Sequence, residues 1–198
     1  MLASLLDVQS LCYSRENNVI LQDICFQLIE KQIIYLSGPN GSGKSTLLKL
    51  LANLLNADSG NIHWRKTGLF AYLGHKLSIK HFVSPIENIL YAANGYQKTC
   101  SKNEAIAFLD QLQLGETVGM LQSRDSISFS FGQQRKISMA CVMASHRQVW
   151  ILDEPFTGLD QASKSILNQC FQEKVKQGGA IILASHIAPE VYHQAIKL

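Results

Sequence analysis

A chain of 198 residues, 46% apolar and 17% charged, has the size of one domain and enough apolar side chains to bury a core, which excludes a disordered chain. A formal net charge of +3 with no clustered Lys/Arg stripe argues against nucleic-acid binding; Arg135-Lys136 and the lysines around Lys174 and Lys176 read as solvated faces. Five cysteines (Cys12, Cys25, Cys100, Cys141 and Cys170), an odd number without a CxxC pair, argue against a disulfide framework or a zinc site and read as small core hydrophobes in a reducing compartment. No stretch approaches the ~20 consecutive apolar residues of a membrane-spanning helix, and no basic n-region announces a signal peptide, so any work at a membrane is expected to be that of a guest.

The first 30 residues read as strands, because Ile24, Phe26 and Leu28 alternate with Cys25 and Gln27 at the period of a half-buried antiparallel strand. Three later runs, Ile33 to Leu36, Val149 to Leu152 and Ile181 to Ala184, are unbroken apolar stretches and predict parallel strands covered on both faces. Short extended stretches are expected at Asn61 to Trp64 and Leu69 to Leu73. Between the strands the period changes to that of helices. Leu47, Leu50, Leu51, Leu54 and Leu55 share a face after Lys44, and Ser84-Pro85-Ile86-Glu87 is a capping box with proline at the first helical position. Ser101 to Glu104 repeats that box, Gln133 opens another helix, and a helix over Gln161 to Lys176 stops at Gly178-Gly179. The whole, residues 1–198, predicts a single α/β domain with a mostly parallel sheet, an N-terminal antiparallel β part and a helical insertion at about 84–130.

Gly38-Pro39-Asn40-Gly41-Ser42-Gly43-Lys44-Ser45-Thr46 is a complete G-x-x-x-x-G-K-[ST], placed after an apolar strand and before a helix. A polyphosphate is held by backbone N–H groups, which requires glycines at the tight turns, and the helix that follows adds its positive end. Lys44 supplies a mobile charge to the β- and γ-phosphates and Ser45 a hydroxyl for Mg²⁺. The strand ending at Leu152 runs into Asp153-Glu154, where one carboxylate can hold a cation and the next can deprotonate an attacking water. His186 closes the third apolar strand, beside the other two strand ends.

Together these residues resemble the ABC ATPase family over essentially the whole chain. Gly38 to Thr46 are similar to its Walker A, Val149 to Glu154 to its Walker B with the catalytic glutamate, Gly158-Leu159-Asp160 to its D-loop and His186 to its switch histidine. Phe129-Ser130-Phe131-Gly132-Gln133-Gln134-Arg135 stands in the place of the LSGGQ signature, with Phe129 for Leu and Phe131 for the first Gly. Tyr13 matches the aromatic that stacks on adenine, and His75 stands where the family has the Q-loop glutamine. The resemblance implies an ABC ATPase fold with a P-loop NTPase (RecA-like) core, using ATP and Mg²⁺. Lys44, Glu154 and His186 are the implied catalytic residues; Ser45 and Asp153, with His75 as a further candidate, are the implied metal ligands. It also implies a head-to-tail homodimer formed on ATP binding, in which Ser130, Gly132 and Gln133 act on the other copy's nucleotide and Asp160 lies in the D-loop.

A narrower resemblance is to the haem-exporter ATPases of cytochrome c maturation. It is carried by Tyr72-Leu73-Gly74-His75, Ser78-Ile79-Lys80, Ile86-Glu87-Asn88, the form of the signature and Ile151 to Thr157. It implies integral membrane partners, CcmB-like and CcmC-like, gripped by the helical insertion, and a peripheral position on the cytoplasmic face of the bacterial inner membrane. An ATPase subunit of another exporter of lipid, drug or small solute is one alternative. A soluble ABC ATPase is the other, and the tandem cassettes or coiled-coil insertion usual there are missing.

Overall fold

The structure, a computed structural model, describes residues 2–114 and 118–198. In chain order its elements are β1 (Ser4–Arg15), β2 (Asn18–Ile29), β3 (Ile33–Ser37), α1 (Lys44–Leu51), β4 (Ser59–Trp64), β5 (Phe70–Leu73), α2 (Pro85–Gly95), α3 (Lys102–Gln111) and α4 (Val118–Ser123). A 3₁₀ turn (Ser126–Ser128) leads to α5 (Phe131–Ala144), β6 (Val149–Asp153), α6 (Gln161–Lys176), β7 (Ala180–Ala184) and β8 (Gln194–Lys197).

Antiparallel pairing builds a three-stranded sheet of order β2-β1-β4, and parallel pairing a five-stranded sheet of order β5-β6-β7-β3-β8. The unbroken apolar runs are explained by what lies on each side of the second sheet. Ile33, Trp150, Leu152, Ile181 and Leu183 point into one core with side chains of α2, α3, α5 and α6. Their neighbours Ile34, Leu36, Val149, Ile151 and Ile182 point into another with α1, β1 and β2. Each fully buried Leu or Ile contributes about 2 kcal/mol, so both faces of the sheet are held strongly.

Helix ends follow local chemistry. Ser84 and Ser101 each accept a hydrogen bond from the backbone N–H of Glu87 and Glu104, whose carboxylates accept in turn from the serine backbone N–H, completing both expected capping boxes. α6 stops where expected: Gly178 takes φ 88° and Gly179 N–H bonds to Lys174 O. α1 ends a turn earlier than its leucine period suggests. Asn53 adopts φ 55°, its N–H bonds to Leu50 O and that of Leu54 to Lys49 O, a Schellman closure that leaves Leu54 58% exposed. β8 was not expected at all; it is a short edge strand of mixed polarity held by main-chain pairing to β3.

Residues 84–130 hold α2 to α4 and the 3₁₀ turn; residues 115–117 lie outside the described residues, as does Met1. The cysteines divide: Cys141 and Cys170 are buried as expected, whereas Cys12 and Cys100 are half-buried and Cys25 is exposed on β2. No helix among the described residues is long and apolar enough to cross a membrane.

Candidate nucleotide-binding site

All strands of the parallel sheet point one way, so their C-terminal ends share an edge. Three of those ends carry the residues singled out in the sequence. β3 leads into the glycine loop, β6 ends at Asp153, and His186 follows β7 by two residues. Gly43 caps α1 at φ 98°, and a side chain there would come within 2.9 Å of Leu21, so only glycine fits. Lys44 is buried, its ammonium donating to the carbonyls of Gly38 (2.7 Å) and Pro39 (2.8 Å). The first turn of α1 carries no acidic residue, leaving its positive end unopposed.

The acid pair divides into two environments. Asp153 is fully buried, accepts a hydrogen bond from the Ser45 hydroxyl at 3.0 Å, and leaves its second oxygen without a partner. Burial pushes its pKa up, opposed by the Ser45 hydroxyl and the charge of nearby His75. An orphaned buried carboxylate oxygen costs about 1–3 kcal/mol, and a hard cation at this point would remove that cost. Ser45 and Asp153 therefore fit Mg²⁺ as oxygen donors, the remaining ligands coming from phosphate and water. Glu154 takes the left-handed φ of 51° and its N–H bonds to Ala184 O at 2.8 Å. Its carboxylate lies 3.5 Å from His186 Nε2 and also accepts from the His186 backbone N–H at 3.4 Å.

Lys44, Ser45, Glu154 and His186 open on one cleft of about 720 Å³, whereas Asp153, fully buried behind its hydrogen bond to Ser45, does not line it. The cleft is lined by Tyr13, by Asn40, Gly41, Gly43, Lys44, Ser45 and Thr46 of the loop, and by His75, Glu154 and His186. Gly38, Pro39 and Ser42 shape the loop without lining the cleft. Arg15 and Ile20 also line it and were not anticipated from the sequence; the alternation of β1 places Arg15 on the face of Tyr13, which was the available signal.

Ser130, Gly132, Gln133 and Asp160 are not brought there. They line a separate depression of about 400 Å³ that shares no residue with the nucleotide cleft. Ser130 caps α5, accepting from Gln133 N–H at 3.3 Å while Gln133 Oε1 accepts from Ser130 N–H at 2.9 Å. A methyl group on Gly132 would sit 2.7 Å from Gly158 O, so the signature and the D-loop turn touch main chain to main chain. Asp160 caps α6 by accepting from Ser163 N–H at 2.8 Å, and bonds from the Ser163 side chain and backbone hold its pKa below the usual carboxylate range. Phe131 stands 50% exposed at the rim. The solvated reading fails at Arg135, which is 1% exposed, and at Lys174, whose pKa burial pushes down to about 8.

A sequence model of the ABC transporter family matches residues 21–157. The chain belongs to the ABC transporter family. The "Cytochrome c biogenesis ATP-binding export protein CcmA" of Yersinia pseudotuberculosis is 31% identical over 192 residues, covering 92% of this chain and 86% of that one. The protein of the same name from Hahella chejuensis is 31% identical over 194 residues, covering 92% and 89%. Among solved structures, an ATP-binding subunit of an ABC transporter superposes with a TM-score of 0.80 at 26% identity, over 92% of this chain and 80% of its own. The chain is thus the ATP-binding, ATP-hydrolysing subunit of an ABC machine, a class of subunit that works with membrane-spanning partners.

Proposed function

We propose that Gly38 to Thr46 grip the triphosphate of ATP, that Tyr13 stacks on the adenine, and that Glu154 with His186 activates the attacking water. Ser45 and Asp153 would hold Mg²⁺, with His75 at the edge of that set. What carries the reading is the convergence at the strand ends: the Ser45–Asp153 hydrogen bond at 3.0 Å, an unpartnered Asp153 oxygen, and the Glu154–His186 pair beside it. When bound, Mg²⁺ neutralises charge on the β- and γ-phosphates.

The protein's own groups do the rest. Lys44 exchanges the carbonyls of Gly38 and Pro39 for phosphate oxygens. Glu154 accepts a proton from the water, and His186 Nε2, 3.5 Å away, fixes the direction of its carboxylate. The backbone amides of the loop meet the phosphates without reorganisation.

Completion of the site needs a second copy. Ser130 and Gly132 line their own depression, so a head-to-tail pair lets the N-terminus of α5, Gln133 included, close over the other chain's γ-phosphate, with Asp160 alongside. ATP would draw two chains together, and hydrolysis would release them. Likeness to the cytochrome c biogenesis proteins extends the reading to a haem export or release step. The membrane partners would be CcmB-like and CcmC-like, and the chain would sit peripherally on the cytoplasmic face of the inner membrane.

Glu154→Gln tests the chemistry. It should bind ATP and elute as a stable dimer, with turnover reduced about 1,000-fold by loss of the base; undiminished turnover would overturn the assignment. Deletion of the gene followed by haem staining of periplasmic proteins tests the cargo. Loss of covalent cytochromes c is expected, and their normal appearance would refute the maturation role while leaving the ATPase intact.

A further inference from the structure

α5 begins at the signature and packs against α2, α3 and β5. One turn in from Phe131 lies Arg135, 1% exposed and among the largest fully buried side chains of the molecule. Its guanidinium makes no ion pair among the described residues. Nη1 donates to the carbonyl of Gly74 at 3.3 Å, Nη2 to that of His75 at 3.2 Å, and Nε is buried without a partner. Such a group is a poor stabiliser, since two long bonds to neutral carbonyls do not offset the loss of water around a full charge.

Its geometry is more informative than its energy. The guanidinium carbon lies 5.6 Å from the centre of the Phe131 ring, and that ring in turn rests against Gly158, where a methyl group would overlap it. The other edge of the fork holds the main chain at Gly74-His75, just after β5, the strand paired to β6 with its Asp153. Burial lowers the Arg135 pKa, while the charges of Asp153 and Glu154 raise it. Phe131 and His75 are also two positions where the chain departs from the ABC motifs, and Arg135 is where the two departures meet. A planar fork that stacks on one side and bonds on the other is a task for arginine and not for lysine.

We propose that Arg135 is a positioning residue that ties the signature to the His75 segment, so that pressure on Phe131 from a second copy's nucleotide is felt at His75 beside the chain's own. The proposal rests on the head-to-tail reading above. It names a link between the two ATP sites of a pair, carried by one buried cation.

A mutant cycle on the full-length chain tests it, reading kcat for ATP hydrolysis and the affinity for a fluorescent ATP analogue. With Arg135 present, Phe131→Ala and His75→Ala should be coupled, their combined loss of kcat differing from the product of the single losses by about fivefold. In an Arg135→Met background the two losses should simply multiply, with analogue affinity unchanged within about twofold. Arg135→Lys keeps charge and bulk but not the fork, and it should behave as Arg135→Met does. It carries the test alone if the methionine variant melts early. Losses that multiply in both backgrounds, or coupling that persists without Arg135, would overturn the proposal. So would a fall in kcat that only tracks melting temperature or analogue affinity. The parent reading is tested separately in the same assay: a wild-type chain that hydrolyses ATP while Glu154→Gln does not leaves it standing, whatever Arg135 does.

Discussion

The nucleotide cleft and the signature depression are built on different terms. The first is made at the ends of three strands buried on both faces, and every position its motif demands is filled: Gly43 because no side chain fits, Lys44 inside the loop, Asp153 fully out of water. The second lies on the rim of a helix start, where Phe131 replaces a glycine and stands 50% exposed. Main chain shapes the first, and its geometry leaves no latitude. In the proposed head-to-tail pair, side chains at an open surface would meet another copy in the second, and there a departure can be absorbed by a neighbour. The glycine loop and the acid pair keep their motifs intact, and departures fall at Phe131 on the signature and at His75, a single side chain lining the cleft.

That contrast can be broken at four points. Lys44→Ala should cost the most, at least about 100-fold in ATP affinity by calorimetry, because it removes a charge-assisted contact inside a dry loop. Near-normal binding would mean that the first cleft is not self-sufficient. Gly132→Ala places a methyl 2.7 Å from Gly158 O, and it should lower turnover about 20-fold while leaving nucleotide affinity intact. An equal loss of affinity would merge the two clefts into one. Tyr13→Ala should weaken ATP about tenfold with kcat preserved, the worth of one stacked base.

The smallest effect lies away from both clefts. Lys174 sits 4.9 Å over the Trp150 ring and donates to Arg147 O, with its pKa pushed down to about 8 from 10.5 by burial. Between those values the unfolded chain binds more protons than the folded one, so wild-type stability rises with pH across the window. The burial penalty is present in full below pH 8. Lys174→Met should thus shift the melting temperature, relative to wild type, a few degrees more favourably at pH 7 than at pH 10, with turnover unchanged.

Much of this was legible because the relevant signals are local. The glycine loop, the acid pair, the Ser84 and Ser101 capping boxes and the Gly178 stop are short-range patterns whose chemistry fixes their geometry. Features that depend on distant partners were not. β8 has no strand signature in Gln194 to Lys197 and exists because β3 offers an open edge. Leu54 continues a helical period that Asn53 ends, since a left-handed asparagine looks like any other asparagine in a sequence. Arg135 reads as a solvated charge until the fold closes over it, and Ile20 belongs to the cleft through tertiary placement alone.

The hydrogen bond from Glu154 N–H to Ala184 O has a mechanical outcome. It staples the residue after β6 to the last residue of β7, and the imidazole of His186 hangs two residues beyond that staple. The Glu154 carboxylate and the His186 imidazole therefore ride on one rivet: if the sheet twists during the proposed cycle, both travel together and their spacing survives the stroke.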